Sequence, residues 1–169
     1  MMNNILLIES SNSSQIRYKL EGVDLVHFIQ NVINTYFNDE KDGRKIELEV
    51  YAKKLKIKID DNLFTQVLIN IISNSFKYSR GFENPQLIIK KAGNNAEISV
   101  VDNGIGIPEE SMQNIFRPFY RAKNSFKHEG TGLGLLVAKQ FVELLNGNIK
   151  IESVVNVGTK VTISLPTAP

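Results

Sequence analysis

Apolar residues along this chain recur with two different periods. In "VDLVHFIQNVINTYF" (23–37) they fall at 25, 26, 28, 29, 32, 33, 36 and 37, an amphipathic helical pattern with Asp24 as N-cap. A second helix is expected from Asp60 or Asp61 to about Ser79. A third is expected over "TGLGLLVAKQFVELLNG" (131–147), with Gly147 as its C′ residue. A short helix is predicted around 109–116. By contrast, "IELEVY", "LKIKID", "QLIIKK", "AEISVVD", "NIKIESV" and "TKVTISLP" alternate or run as strands, several joined by short turns such as "AGNN". Residues 1–21 begin with helix-like spacing at Met2, Ile5, Leu6 and Ile8 and pass into polar "ESSNSSQ", the look of the tail of a longer element. Residues 117–130 are polar, basic and aromatic, without a period.

Strands that follow one another through short turns imply mostly antiparallel pairing. The expected fold is therefore α+β, a two-layer sandwich whose mixed, mostly antiparallel sheet carries about three helices on one face. A doubly wound sheet would need single strands alternating with helices, and the order here does not supply them.

Composition narrows the function. A net charge of +2 gives no electrostatic case for nucleic acid or for direct membrane contact. With no cysteine there is no disulfide, thiolate nucleophile or Cys-based zinc site, and the two histidines, His27 and His128, lie far apart. No stretch approaches the ~20 apolar residues of a membrane span. The expected localisation is cytoplasmic, with any inner-membrane anchor of the full-length protein lying outside this chain.

Three stretches carry chemistry. In the helix of 60–79 that contains "NIISNSFKYS" (70–79), Phe64, Val67, Leu68, Ile71, Ile72 and Ser75 form one stripe, and Gln66, Asn70, Ser73, Asn74 and Lys77 the opposite one. Asn is a poor helix former, but its amide oxygen can ligate magnesium without repelling a polyphosphate. Lys77 could meet a phosphate, and Tyr78, at the stripe's edge, could stack or hydrogen-bond. In "VVDNGIGIP" (100–108), Asp102 ends a buried strand. Its carboxylate can accept from the exocyclic amine of adenine and would face a carbonyl in guanine. Gly104 and Gly106 let backbone approach a flat ring. In "EGTGLGL" (129–135), Gly130, Gly132 and Gly134 open a helix and bare its N–H groups to an anion. Taken singly, each admits a plainer reading: a solvated helix face, a turn, a hinge.

Together and in this order, "NIISNSFKYS", "VDNGIGIP", "IFRPFYRA" and "GTGLGL" resemble the N, G1, F and G2 boxes of sensor histidine kinases, and "VGTKVTISLP" the G3 region. The resemblance covers about residues 23–166, leaving 1–22 as a remnant of a dimerisation-domain helix and linker and 23–169 as the ATP-binding catalytic domain. It implies the GHKL-type fold shared with type II topoisomerases, heat-shock chaperones and mismatch-repair ATPases. It implies ATP and Mg2+ as ligands, with Asn74 on the metal. The nucleotide would lie among Asn70, Asn74, Lys77, Tyr78, Asp102, Gly104, Ile105, Gly106, Phe119, Arg121, Gly130, Thr131, Gly132, Leu133, Gly134 and Thr159. Segment 109–130 would be a lid, anchored by Phe116 and Phe119. Ser75, Glu129, Val157 and Val161 depart from common family residues, but none removes a ligand.

The implied function is the ATP-binding catalytic domain of a two-component kinase. Its γ-phosphate would go to a histidine on a dimerisation domain of the same protein, and its further partner would be a response regulator receiver domain. Neither His27 nor His128 has the acidic neighbour and nearby proline of the phosphoacceptor. Two other readings stand beside this one: a nucleotide-binding regulatory module without phosphotransfer, and a GHKL-type ATPase. The second is disfavoured because the polar stripe of the Asn helix has no Glu.

Overall fold

The computed structural model describes residues 17–168 except 39, 41, 53, 80 and 82. The helical start expected at Met2–Ile8 lies outside the described residues. In chain order the elements are β1 (Glu21–Asp24), α1 (Leu25–Tyr36), β2 (Glu47–Val50), β3 (Lys56–Ile59), α2 (Asp61–Tyr78), β4 (Gln86–Ala92), β5 (Asn95–Asp102), α3 (Glu109–Met112), a 3-10 turn (Lys123–Ser125), α4 (Gly134–Leu144), β6 (Asn148–Val154) and β7 (Gly158–Pro166).

The main sheet has the order β2-β4-β5-β7-β6. All its pairings are antiparallel except β2 with β4, which is parallel. Register places Leu87 opposite Val100, Ile89 opposite Ile98, Val100 opposite Val161 and Ile98 opposite Ile163, so that these side chains share one face. They are all buried and form one core with Phe64, Leu68, Ile71 and Ile72 of α2 and Val137, Ala138, Phe141 and Val142 of α4. The other face is largely polar: Lys90 pairs with Glu97 at 3.0 Å and Ser99 Oγ lies 3.0 Å from Thr162 Oγ1. One apolar face and one polar face make a two-layer α+β sandwich. Burial of the α2 stripe Phe64, Val67, Leu68, Ile71, Ile72 and Ser75 follows the predicted helical face.

Local capping follows the sequence closely. Asp24 accepts from Val26 and His27 N–H, and Asp60 from Asn62 and Leu63 N–H. Each such cap contributes about 1 kcal/mol by satisfying N–H groups with no helical partner. At the end of α4 the expected C′ residue is displaced by one. Asn146 takes the left-handed conformation (φ 56), and Gly147 follows it, donating to Val142 O at 2.9 Å while Asn146 N–H donates to Glu143 O at 3.0 Å. This is the paired closure of a Schellman turn. Gly147 is needed for another reason: a Cβ there would stand 2.6 Å from Leu165 Cδ2 and 2.7 Å from Ser164 O.

Two features of the N-terminal third depart from the sequence reading. Glu21–Asp24 form a strand, which the sequence pattern did not predict. Its partner is β3, antiparallel, with Val23 opposite Ile57. Consequently β2 and β3, adjacent in sequence, do not pair with each other: β2 joins the main sheet and β3 the two-stranded one. Ile57 and Ile59 are fully buried, and β3 reaches the end of the main sheet through Thr167 and the Ala168 N–H bond to Lys56 O (2.7 Å).

Candidate functional site

The main cleft, about 260 Å³, opens between the polar stripe of α2, the loop after β5, the segment 120–134 and the start of α4. One wall is α2. Asn70, Asn74, Lys77 and Tyr78 all line it, half-buried because the lid segment and α4 lie over them. Asn70, Asn74 and Lys77 are therefore the side of a cleft, while Gln66 and Ser73 of the same stripe are exposed. Asn70 Nδ2 is buried and has no hydrogen-bond partner among the described residues. The Lys77 ammonium sits over the Tyr78 ring, 4.5 Å from its centroid, and a Cβ on Gly130 would come within 2.6 Å of Lys77 Nζ.

Asp102 is the one carboxylate lining the cleft. It ends β5 opposite Thr159 of β7, which also lines the cleft. Burial raises its pKa to about 6, against the lowering pull of hydrogen bonds from the Gly104 and Thr159 backbone. Gly104 N–H donates to Asp102 Oδ1 at 2.8 Å, fixing the carboxylate.

The glycines of this loop also serve close packing of backbone. A Cβ on Gly104 would lie 2.1 Å from Tyr78 O, and one on Gly106 2.1 Å from Val154 O. Their bareness lets three stretches of backbone cross, joining the end of α2 and the β6–β7 turn to the loop. Ile105 N–H donates to Tyr78 O at 2.9 Å, and Ser79 bridges to Gly104. Ile105 and Gly106 line the cleft, whereas Gly104 does not.

At the other end Gly134 begins α4, preceded by Gly130, Thr131 and Gly132, all lining the cleft. The helix has no side-chain cap on its first N–H groups. Leu133 is buried at 2% exposure and packs beneath this turn instead of facing the cleft. Arg121 lines the cleft, its guanidinium donating to Ser125 O (2.7 Å) and His128 O and lying over Phe126 (5.6 Å).

Phe119 corrects the expected anchoring. It is 65% exposed, with a left-handed φ of 61, and does not line the cleft. Its backbone, not its ring, is packed against Gly132. Phe116 packs partly buried against the core, as an anchor should. The lid is held instead by polar contacts and by the edge of the His128 ring on Tyr78, 5.1 Å between centroids.

Three contributors have no signature in the sequence. Arg44 stretches from the turn before β2 to the last turn of α2, donating to Phe76 O at 2.8 Å and to Ser79 Oγ, with Asp42 at 2.7 Å and the Phe76 ring at 5.3 Å. It thereby caps the carbonyl end of the helix that carries Lys77 and Tyr78, a position that favours a cation. Ser153 accepts from Ile107 N–H at 2.8 Å and lies 2.9 Å from Thr159 Oγ1, tying two cleft residues together. Asn124, in the 3-10 turn, bonds the loop after Asp102. All three act across long sequence separations, where periodicity carries no information.

Comparison with known proteins agrees with this geometry. Residues 59–169 match the family described as histidine kinase-, DNA gyrase B-, and HSP90-like ATPase. The chain is 36% identical over 170 residues to the sensor protein kinase WalK of Staphylococcus saprophyticus, covering 98% of this chain and 28% of that protein. A WalK sequence of Staphylococcus aureus is 35% identical, with 98% and 41% covered. The chain thus spans well under half the length of these relatives. Among solved structures, the mycobacterial sensor histidine kinase MprB superposes with a TM-score of 0.75 at 25% identity, covering 89% of this chain and 99% of that one. Full-length ShkA in complex with AMPPNP superposes at 0.84, with 21% identity and 98% and 35% covered, a likeness of fold. By its matching family and its cleft, this chain belongs to the histidine kinase-, DNA gyrase B- and HSP90-like ATPases, as a histidine kinase-type ATP-binding domain.

Proposed function

We propose that this domain holds Mg-ATP and supplies its γ-phosphate to a histidine on a dimerisation domain of the same protein, from which a response regulator receiver domain takes it. The observation that carries this reading is the polarity of one cleft. A buried carboxylate stands at one end, and Lys77, Arg121 and the open N-terminus of α4 gather positive potential along the rest. That is the charge pattern of an amino-purine joined to a polyphosphate. Asp102 accepts from the adenine amine. Lys77, Arg121 and the N–H groups around Gly130–Gly134 hold the phosphates.

The donor set fits magnesium. Asn70 and Asn74 offer neutral amides on the phosphate side, with no carboxylate beside them to repel a nucleotide. Asn74 would ligate the ion, and the ion would offset phosphate charge. The chain's own residues supply binding and orientation, which is most of what phosphoryl transfer asks of a protein.

The test is phosphohistidine labelling. This chain with Mg-ATP should not label itself: His27 is exposed on α1 and His128 is packed against Tyr78. A polypeptide that adds the upstream two-helix domain should label on a histidine outside this chain, with acid-labile, base-stable phosphate. Label on the short chain at the rate of the long one would overturn the assignment of roles. ATP binding by both with label on neither would favour a regulatory nucleotide-binding module.

A further inference from the structure

Asn124 has an orientation the surrounding backbone dictates. Its Nδ2 lies 2.9 Å from Gly106 O and 3.5 Å from Ile105 O. Carbonyl oxygens only accept, so the amide must turn its NH2 toward them and its oxygen away. That oxygen, Oδ1, is buried and has no hydrogen-bond donor among the described residues. Asn124 lines the same cleft as Asp102, and the two carbonyls it grips lie only three and four residues beyond that carboxylate. A buried acceptor held in place without a protein donor is costly by itself, and the cost is recovered when a donor reaches it.

Resting on the reading of the cleft as a nucleotide site, we infer that Asn124 is a specificity-determining residue, accepting a hydrogen bond from the nucleoside half of the ligand. The phosphates cannot be its partner, because at neutral pH their oxygens are acceptors. The donors on that half are the exocyclic amine, which has a second proton beside the one given to Asp102, and the ribose hydroxyls. The geometry also gives the lid a reading role. The residue that clasps the loop after β5 arrives from the turn Lys123–Ser125, so closure of that turn and recognition of the nucleoside occur together.

The test is a cycle between protein and ligand. Parent and Asn124→Ala are titrated with ATP, 2′-deoxy-ATP, 3′-deoxy-ATP and purine riboside triphosphate, which lacks the amine. Comparing nucleotides within one variant cancels any general loosening of the lid. Asn124→Ser repeats the cycle should the alanine variant bind too weakly to titrate. The expected result is an ATP deficit of about three- to tenfold in the variant that disappears for the one analogue lacking the partner donor. That analogue identifies amine or hydroxyl. An equal deficit for all four nucleotides, or none, would overturn the role of Asn124 while leaving the nucleotide site standing. A parent that binds none of the four would remove both readings.

Discussion

The carbonyl of Tyr78 accepts the N–H of Ile105 at 2.9 Å. This bond joins the end of α2, with its Asn and Lys wall, to the loop that follows Asp102. The two halves of the cleft are thereby tied through backbone, and Gly104 is what lets them meet. Gly104→Ala should break this junction, because its Cβ would stand 2.1 Å from Tyr78 O. We expect lowered thermal stability together with weakened ATP binding. Unchanged melting and unchanged affinity would show that the loop can shift at no cost.

Asp102 gives a pH signature of two opposite signs. Its folded pKa, about 6, lies above the ordinary value of 3.8. The folded state thus favours the protonated acid. Stability from this group is full below about pH 4 and is lost as pH rises through about 6. Asp102→Asn should be the more stable protein at pH 7, with the difference narrowing on acidification. ATP affinity should run the other way, rising through about pH 6 as the carboxylate ionises, and flat in Asp102→Asn, which should lose about 1–3 kcal/mol of binding. Thermal melts and fluorescent-nucleotide titrations across pH 4–8 check both.

Asn74→Ala should remove the magnesium dependence of nucleotide affinity more than it changes folding. Asn74 is half-buried on the cleft wall, away from the core stripe of α2. A variant whose affinity still responds to magnesium like the parent would leave Asn74 as a wall residue without a metal.

Arg44→Met should destabilise the domain by about 1–3 kcal/mol, because Ser79 Oγ loses its donor, Phe76 O keeps only the Ser79 hydroxyl, and Asp42 loses its side-chain partner. ATP affinity should fall with it, since Lys77 and Tyr78 lie between those two anchors. Arg44→Lys should recover only part, having a single point charge in place of a fork. Chemical denaturation and ATP titration of both variants check this, and full recovery by lysine would mean that charge alone suffices.

Segment 117–130 should exchange its amide hydrogens faster than α2. Its backbone bonds are local, such as Ser125 N–H to Ala122 O and His128 N–H to Ser125 O, with no ladder behind them. ATP should slow that exchange. Protection equal to that of residues 64–76 before nucleotide is added would contradict it.

What the sequence by itself determined is local and periodic. The 3.6-residue repeat of α2 separated Phe64, Val67, Leu68, Ile71, Ile72 and Ser75 from Asn70, Asn74 and Lys77, because burial on a helix is a matter of angle. Asp24 was legible as a cap, since a cap acts within three residues, and the start of α2 was legible to within one residue, at Asp60 or Asp61. Strand β6 has the bounds its pattern implies. Only the tertiary structure decided which distant backbones meet. It sent β2 and β3 to different sheets, made Glu21–Asp24 a strand, and made Gly104 and Gly106 crossing points of backbone. It left the ring of Phe119 exposed and brought Arg44, Asn124 and Ser153 to the cleft's frame. The physical reason is that periodicity records whether a side chain faces inward or outward. Partner choice between segments tens of residues apart depends on register and packing, which no short window of sequence contains.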